Sequence, residues 1–129
     1  MGKPLSTNME DYLRTIHVLK TRRGSVRVKD IAENMGITMP SVCSALKNLE
    51  SHGLVNHERY DRVILTGKGD RVAADIVYRH RVIRDFLSDV LGIDHSIAEK
   101  DACGMEHSIS PETLQSLIQF MESAGTGRT

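Results

Sequence analysis

Two short helices separated by a glycine set the strongest limit on how this chain can fold. Residues 29–35 predict a two-turn helix that stops at Gly36, because glycine readily adopts the left-handed conformation that ends helices. Thr38 or Met39 is then the expected cap of the next helix, and Pro40 suits its first turn. Apolar residues follow at helical spacing, as far as Gly53: Val42, Ala45, Leu46 and Leu49. Together these features predict a helix-turn-helix.

The residues after this pair predict a small β-hairpin. Residues 54–58 and 62–66 alternate in the manner of strands, and residues 59–61 join them. A hairpin directly behind a helix-turn-helix is the arrangement of a winged helix. Ahead of the pair, Thr7 and Glu10 form a capping box for a first helix that ends near Arg22 or Arg23.

A winged helix commonly binds duplex DNA, with the second helix of the helix-turn-helix in the major groove. The residues predicted to face outward there, and so to contact DNA, are Thr38, Met39, Pro40, Ser41, Ser44 and Lys47. Arg59 and Arg62 at the hairpin tip are candidate phosphate contacts, although charged turn residues are often simply solvated. Since none of these six residues is an Arg, Asn or Gln, base specificity cannot be derived from direct readout rules.

The back half predicts three helices. A long helix runs from Asp70 to Leu91 and ends at Gly92; a second opens at residues 93–96, and Ser110 caps the last. The long helix is expected to place Val72, Ile76, Ile83, Phe86, Leu87 and Leu91 on its apolar side. The fold class is therefore mostly α: a winged-helix DNA-binding domain over residues 1–71, a helical dimerisation and metal-binding domain over 72–125, and a disordered tail over 126–129.

The charge distribution supports two functions in one chain. The net charge is zero, but residues 1–71 hold 12 Lys and Arg against 8 Asp and Glu, whereas residues 72–129 hold 5 against 9. A basic half suits nucleic acid, and an acidic half suits a different role. Two cysteines far apart and no apolar N-terminal run indicate a cytoplasmic protein with free thiols, without a signal peptide or membrane span.

A candidate metal site lies in the acidic half. Cys103, Glu106 and His107 stand at positions i, i+3 and i+4, so on a helix, at about 100° per residue, their side chains share one face. This ligand set suits Fe²⁺, Mn²⁺, Co²⁺, Ni²⁺ or Zn²⁺ better than Ca²⁺ or Mg²⁺. The alternative is structural: Cys103 would be a small buried apolar residue, and the other two would cap a helix end.

Several short motifs, in this order along the chain, resemble the metal-dependent repressors of the diphtheria toxin repressor and manganese transport regulator family. They are residues 9–16 (MEDYLRTI), 30–33 (DIAE), 65–69 (LTGKG), 78–81 (YRHR) and 102–107 (ACGMEH). The resemblance covers nearly the whole chain, and the combination is specific although each motif alone is weak. It implies a homodimeric transcriptional repressor that binds double-stranded operator DNA when loaded with Fe²⁺ or Mn²⁺. Zn²⁺, Co²⁺ or Ni²⁺ would be possible occupants in vitro.

The resemblance also implies further metal ligands. Asp11 falls where the manganese branch has a metal-binding Asp, and His80 matches a ligand on the long helix. Cys103 matches the iron branch, and Glu106 and His107 match both branches. Asp11 could instead serve the dipole of its helix, and His80 could belong to a solvated basic face.

Three positions depart from the family pattern. Arg14 stands where the manganese branch has a second carboxylate, Arg84 where the iron branch has Glu, and Glu99 where the iron branch has His. A second metal site around His80 is therefore in doubt unless Glu99 completes it. The chain also ends before the SH3-like third domain of longer members, so the short two-domain form is expected.

Two other function classes remain open at this point. One is a winged-helix regulator that does not respond to metal, and a chelator added to a DNA-binding assay would distinguish it. The other is a metalloenzyme with Glu106 as base, but no nucleophile or phosphate cradle accompanies that residue. The expected mechanism is that a metal held by Asp11 and by the ligands of the acidic half links the two halves and so favours operator binding.

Overall fold

The structure is a computed structural model that describes residues 7–124, apart from the side chain of Thr7. It divides into two compact units, one up to Ile76 and one from Val77, whereas the sequence prediction placed the boundary after Arg71. The predicted tail over 126–129 and the Thr7 side chain of the predicted capping box lie outside the described residues.

The first unit contains three helices, a two-stranded sheet and the start of a fourth helix. Their bounds are α1 Thr7–Arg23, α2 Val28–Met35, α3 Met39–Ser51, β1 Val55–His57, β2 Val63–Leu65 and α4 Gly67–Asp85. The predicted ends of the first three helices are confirmed. These elements enclose one apolar core, whose fully buried members include Leu13, Ile16, Ile31, Val42, Leu46, Leu49, Val55 and Ile76.

The turn between α2 and α3 follows the sequence prediction closely. Gly36 has φ +68°, the left-handed conformation that ends α2. Thr38, not Met39, caps α3: its side-chain oxygen accepts a hydrogen bond from the backbone N–H of Ser41 at 3.3 Å. The cap satisfies one of the amide groups that a helix start leaves without a partner, and Pro40 lacks an N–H that would need one.

The two strands form the predicted hairpin. They pair antiparallel with Val55 opposite Leu65, and a tight turn over Arg59–Asp61 joins them. The second strand is also tied to the segment before α2, since the N–H of Val63 donates to the carbonyl of Val26 at 2.9 Å. The end of β2 nearest the turn is thus attached to the segment that leads into the helix-turn-helix.

A close backbone approach fixes the start of α4 against the hairpin. The hydroxyl of Thr66 donates to the carbonyl of Gly53 at 2.6 Å and accepts from the N–H of Gly69 at 3.0 Å. The N–H of Thr66 donates to the carbonyl of Leu54 at 3.0 Å. A Cβ on Gly69 would lie 1.8 Å from that same carbonyl oxygen, so only glycine fits there.

The second unit is built from the later part of α4, a π-helical turn over Phe86–Val90, and the helices α5 His95–Met105 and α6 Pro111–Ser123. Asp94 and Ser110 cap α5 and α6 through hydrogen bonds from Ser96 and Thr113. Its core contains Ile83, Leu87, Ala98, Ala102 and Leu114. The ring of Phe86 meets Phe120 edge to face at 6.0 Å between centroids.

The π-helical turn makes one sequence prediction wrong. Leu91 was expected on the apolar side of the long helix, but it is 56% exposed. Its N–H bonds to the carbonyl of Phe86, five residues back, instead of four. A π turn contains one residue more than an α turn, so the spacing that correctly buries Ile83 and Leu87 no longer holds beyond it.

The predicted fold class is confirmed: the chain is mostly helical, with a winged helix-turn-helix followed by a helical unit. Within the described range, no helix has both the length and the apolarity needed to span a membrane.

Candidate metal and DNA-binding sites

The exposed face of α3 carries all the side chains predicted to contact DNA from this helix. Burial of Val42, Leu46 and Leu49 in the core fixes which side of α3 faces solvent. The six predicted residues are all exposed: Thr38, Met39, Pro40, Ser41, Ser44 and Lys47. Asn48, Glu50 and Ser51 of the same helix are exposed as well, and they were not predicted to contact DNA. Short hydroxyl side chains and one lysine can donate hydrogen bonds to DNA phosphates. That this face of α3 enters the major groove stays a prediction.

The hairpin tip presents two exposed arginines around an exposed aromatic ring. Arg59 and Arg62 are exposed as predicted, and Tyr60 between them is 80% exposed. Tyr60 and Asp61 both have positive φ, at 61° and 58°, which is uncommon for residues other than glycine. Asp61 accepts a 3.3 Å contact from His57 across the turn. The cationic groups of the tip are therefore in solvent.

The metal-binding motif lies at the end of α5. Cys103 is in the helix and half-buried, and the helix ends at Met105. Glu106 still has helical φ and ψ, at −61° and −25°, so it lies one turn beyond Cys103 on the same side. His107 follows in a turn, with its N–H bonded to the carbonyl of Gly104 at 3.3 Å. Ligand atoms of Glu106 and His107 lie within 4.8 Å of each other, but the sulfur of Cys103 does not lie within that distance of both.

The carboxylate of Glu106 is buried without hydrogen bonds. Its side chain is 1% exposed, and neither of its oxygens accepts a hydrogen bond from any residue that the structure describes. Nδ1 of His80 lies 3.3 Å from one oxygen, which is close enough for an ion pair but not aligned as a hydrogen bond. A buried carboxylate in this condition needs a compensating cation. Glu106 does occupy the C-cap position of α5, as the structural alternative expected, but that position does not account for its buried carboxylate.

His80 lies between two carboxylates. Its side chain is 7% exposed, its Nε2 is 2.7 Å from Oε2 of Glu99, and its Nδ1 faces Glu106. Arg84, one turn further along α4, places Nη1 3.6 Å from the other oxygen of Glu99. The alternative that His80 belongs to a solvated face is therefore wrong, because the ring is buried among acidic groups.

The electrostatics of Glu99 reflect these cationic neighbours. Burial raises the pKa of the Glu99 carboxyl, but the hydrogen bond and charge of His80, together with Arg84, lower it more. The net pKa is below its usual value, so Glu99 is ionised at neutral pH.

Asp11 lies on α1, in the first unit, and pairs with Arg14. Nη2 of Arg14 is 3.3 Å from Oδ1 of Asp11, one helical turn away. Arg14 is one of the residues that depart from the family pattern, and here it supplies the positive charge beside the carboxylate. The position of Asp11 in α1 does not favour the alternative that it serves the helix dipole, because it is the fifth residue of the helix.

Sequence reasoning missed the contact between His80 and Glu106, and the roles of Arg14 and Arg84 as carboxylate partners. Arg14 follows Asp11 by three residues, a spacing typical of helical ion pairs, so that contact could have been predicted. The other contacts join α4 to α5 or to the residue after it, and no local spacing indicates which residues of two helices meet.

Comparisons with known proteins cover both units. The family described as "Iron dependent repressor, N-terminal DNA binding domain" matches residues 4–63. The family described as "Iron dependent repressor, metal binding and dimerisation domain" matches residues 66–126.

Curated relatives agree with these matches. The chain is 34% identical over 122 residues to the HTH-type transcriptional regulator MntR of Shouchella clausii, covering 92% of this chain and 85% of the relative. It is 36% identical over 118 residues to the transcriptional regulator MntR of Salmonella typhimurium, covering 92% and 74%.

Solved structures are similar in fold. The manganese regulator SloR aligns with a TM-score of 0.76 at 30% identity, covering 92% of this chain and 55% of that one. The IdeR of T. acidophilum aligns with a TM-score of 0.78 at 26% identity, covering 95% and 56%. A manganese-dependent transcriptional repressor in complex with manganese aligns with a TM-score of 0.74 at 28% identity, covering 94% of this chain and 53% of that one. The chain thus spans about half the length of these structures.

Proposed function

Because the chain belongs to the family of iron-dependent repressors, we propose that it is a transcriptional repressor that binds DNA in response to a divalent metal ion. The observation that carries the proposal is the buried carboxylate of Glu106, which has no hydrogen-bond partner among the described residues. The family is one of DNA-binding regulators, so the metalloenzyme alternative is not supported.

The metal site we propose is formed by Cys103, Glu106 and His107. Burying an ionised carboxylate is costly unless an opposite charge lies beside it, and a bound cation supplies that charge. The thiol of Cys103, one turn before Glu106, and the imidazole of His107 would complete three sides of the ion's coordination. A bound ion would thereby hold together the end of α5 and the turn after it.

The metal is proposed to be Fe²⁺ or Mn²⁺, with Fe²⁺ favoured by the thiol of Cys103. Zn²⁺ and Ni²⁺ should bind more tightly than Mn²⁺ in vitro, since divalent ions follow a general order of affinity at such ligands. Selectivity would then depend on geometry and on which ion is available. If Cys103→Ser leaves every divalent affinity unchanged, the thiol is not a ligand.

The DNA-binding surface we propose combines the exposed face of α3 with the arginines at the hairpin tip. The recognition helix would enter the major groove, and Arg59 and Arg62 would contact phosphates. A homodimer would read two half-sites related by a dyad, with centres separated by about 10 bp or a multiple of it. The second unit matches a dimerisation domain, which supports this arrangement.

Metal and DNA binding should be thermodynamically coupled. A tenfold gain in DNA affinity on adding metal corresponds to about 1.4 kcal/mol, within the usual range of roughly 1–3 kcal/mol for linked sites. Operator DNA must then tighten metal binding by the same factor. Asp11, which the resemblance also implies as a ligand, belongs to the first unit. We expect Asp11→Ala to keep the dimer and part of the metal affinity but to lose metal-stimulated DNA binding.

The decisive experiment compares Glu106→Gln with Asp101→Asn. Both variants remove one carboxylate, but Asp101 is exposed on α5. DNA selected from a random pool with Mn²⁺-loaded protein would serve as the probe, and fluorescence anisotropy with Mn²⁺ or with chelator would report binding. Glu106→Gln should abolish the response to Mn²⁺.

The control variant Asp101→Asn should respond to Mn²⁺ as the wild type does. Equal DNA binding by the wild type with Mn²⁺ and with chelator would refute metal dependence and favour the metal-independent winged-helix regulator. A full Mn²⁺ response in Glu106→Gln would show that this carboxylate is not a metal ligand.

A further inference from the structure

The side chains around His80 form a continuous row in which nitrogen groups alternate with carboxylates. Arg84 contacts Glu99, Glu99 contacts His80, and His80 faces Glu106, with atoms separated by 3.6, 2.7 and 3.3 Å. All four residues belong to the second unit. The two carboxylate oxygens of Glu99 therefore contact different nitrogens, since Oε2 faces His80 and Oε1 faces Arg84.

His80 has no ring nitrogen directed at open space. Nε2 makes the 2.7 Å contact to Glu99, and Nδ1 faces the Glu106 carboxylate. A histidine binds a metal ion through a lone pair on a ring nitrogen that points at the ion. To act as a ligand, His80 would have to give up one of these contacts.

Arg84 makes the space beside the Glu99 carboxylate unfavourable for a metal cation. Its guanidinium lies 3.6 Å from Glu99 and is held in place by Asp85, whose Oδ1 accepts from Nη2 at 3.0 Å and from Nε at 3.2 Å. A guanidinium is always charged at accessible pH, so a divalent ion beside Glu99 would face a fixed positive charge.

We propose that this chain binds a single metal ion in its second unit, and that His80 and Glu99 position the Glu106 carboxylate without being ligands. The proposal rests on the metal-dependent function proposed above. It gives the sequence-predicted ligands His80 and Glu99 a different role: with Arg84 they form an internal chain of contacts that occupies the groups a second ion would need. Carboxylates that bind metals are commonly oriented by such outer partners.

The first test is the number of ions bound per chain, measured by equilibrium dialysis of the full-length wild type against Mn²⁺ and against Co²⁺. We expect one ion of either metal per chain. Two ions per chain would overturn the single-site proposal but leave the proposed function intact. A chain that binds no divalent ion would overturn both.

The second test uses Glu99→Gln, which keeps the size of the side chain and can still accept from His80. Because Glu99 is half exposed, the variant should fold normally. It should still bind one ion, with less than about a tenfold change in affinity, as should the matched control Asp101→Asn. Loss of the ion in Glu99→Gln alone would show that Glu99 is a ligand.

The third test assigns the role of His80. His80→Gln should still bind one ion, with affinity weakened about 10- to 100-fold, the usual cost of losing an outer partner of a ligand. The absorption spectrum of bound Co²⁺, which depends on the ligating atoms, should keep the wild-type band positions in His80→Gln and in Glu99→Gln. A shifted spectrum in either variant would show that the replaced residue is a metal ligand and would overturn the proposal.

Discussion

Replacing Gly69 by alanine should destabilise the first unit, although alanine normally favours a helix. The new Cβ would lie 1.8 Å from the carbonyl oxygen of Leu54, whereas real Cβ contacts essentially never fall below 3.0 Å. Backbone must therefore move by more than an ångström. The Leu54 carbonyl also accepts from Thr66, and Gly69 donates to the Thr66 hydroxyl, so the movement strains two hydrogen bonds.

The expected loss can be worked out from these terms. Overpacking costs about 1–3 kcal/mol, and two weakened hydrogen bonds cost about 1 kcal/mol each. Against this, alanine gains about 1 kcal/mol over glycine inside a helix. The net loss is about 2 kcal/mol or more, which lowers the melting temperature of a unit of this size by roughly 8 °C or more.

Gly67→Ala is a matched control in the same helix, two positions away. Its added Cβ would meet only the side chain of Arg71, at an ordinary 3.8 Å. Urea denaturation followed by far-ultraviolet circular dichroism should show Gly67→Ala unchanged or slightly stabilised and Gly69→Ala clearly destabilised. Equal midpoints for the two variants would refute the steric argument.

Three further outcomes are expected. Lys47→Ala should weaken binding to all DNA sequences and flatten the salt dependence of binding by up to about one phosphate contact. Ser41→Ala should instead change the preference among DNA sequences, and an equal loss of affinity on all sequences would mean that Ser41 contacts the DNA backbone. Tyr60→Gly should leave the free energy of unfolding unchanged or raise it by up to about 1 kcal/mol, because glycine relieves the positive φ; a clear loss in denaturant titration would mean that the ring packs on the protein. Hydrogen bonds from Ser96 lower the pKa of Asp94, so its stabilising contribution should be present above the usual aspartate pKa and lost as pH falls through the lowered value. The stability difference between wild type and Asp94→Ala should therefore shrink on acidification, and a constant difference would contradict this.

Local signals accounted for most of the fold. The cap at Thr38, the left-handed Gly36 and the apolar spacing of α3 each depend on residues close in sequence, so they could be predicted. The error at Leu91 arose because a π turn changes the residue count per turn without a distinctive residue to mark it.

The candidate metal site, like the fold, was predictable only where it depends on residues close in sequence. The motif at Cys103, Glu106 and His107 was visible from its spacing, but the burial of Glu106 and its approach to His80 depend on how α4 packs in the second unit. That packing is decided by apolar contacts between helices, which spacing within one helix does not specify. The ligand roles themselves stay predictions.

The π turn over Phe86–Val90 also bears on how relatives should be aligned with this chain. Such a turn accommodates one residue more than regular α-helix does, and its i to i+5 bond joins Leu91 to Phe86. A relative whose helix is regular at this point should therefore be one residue shorter between the positions of Ile83 and Gly92. An alignment drawn without that gap would shift every later position by one, the end of α5 included.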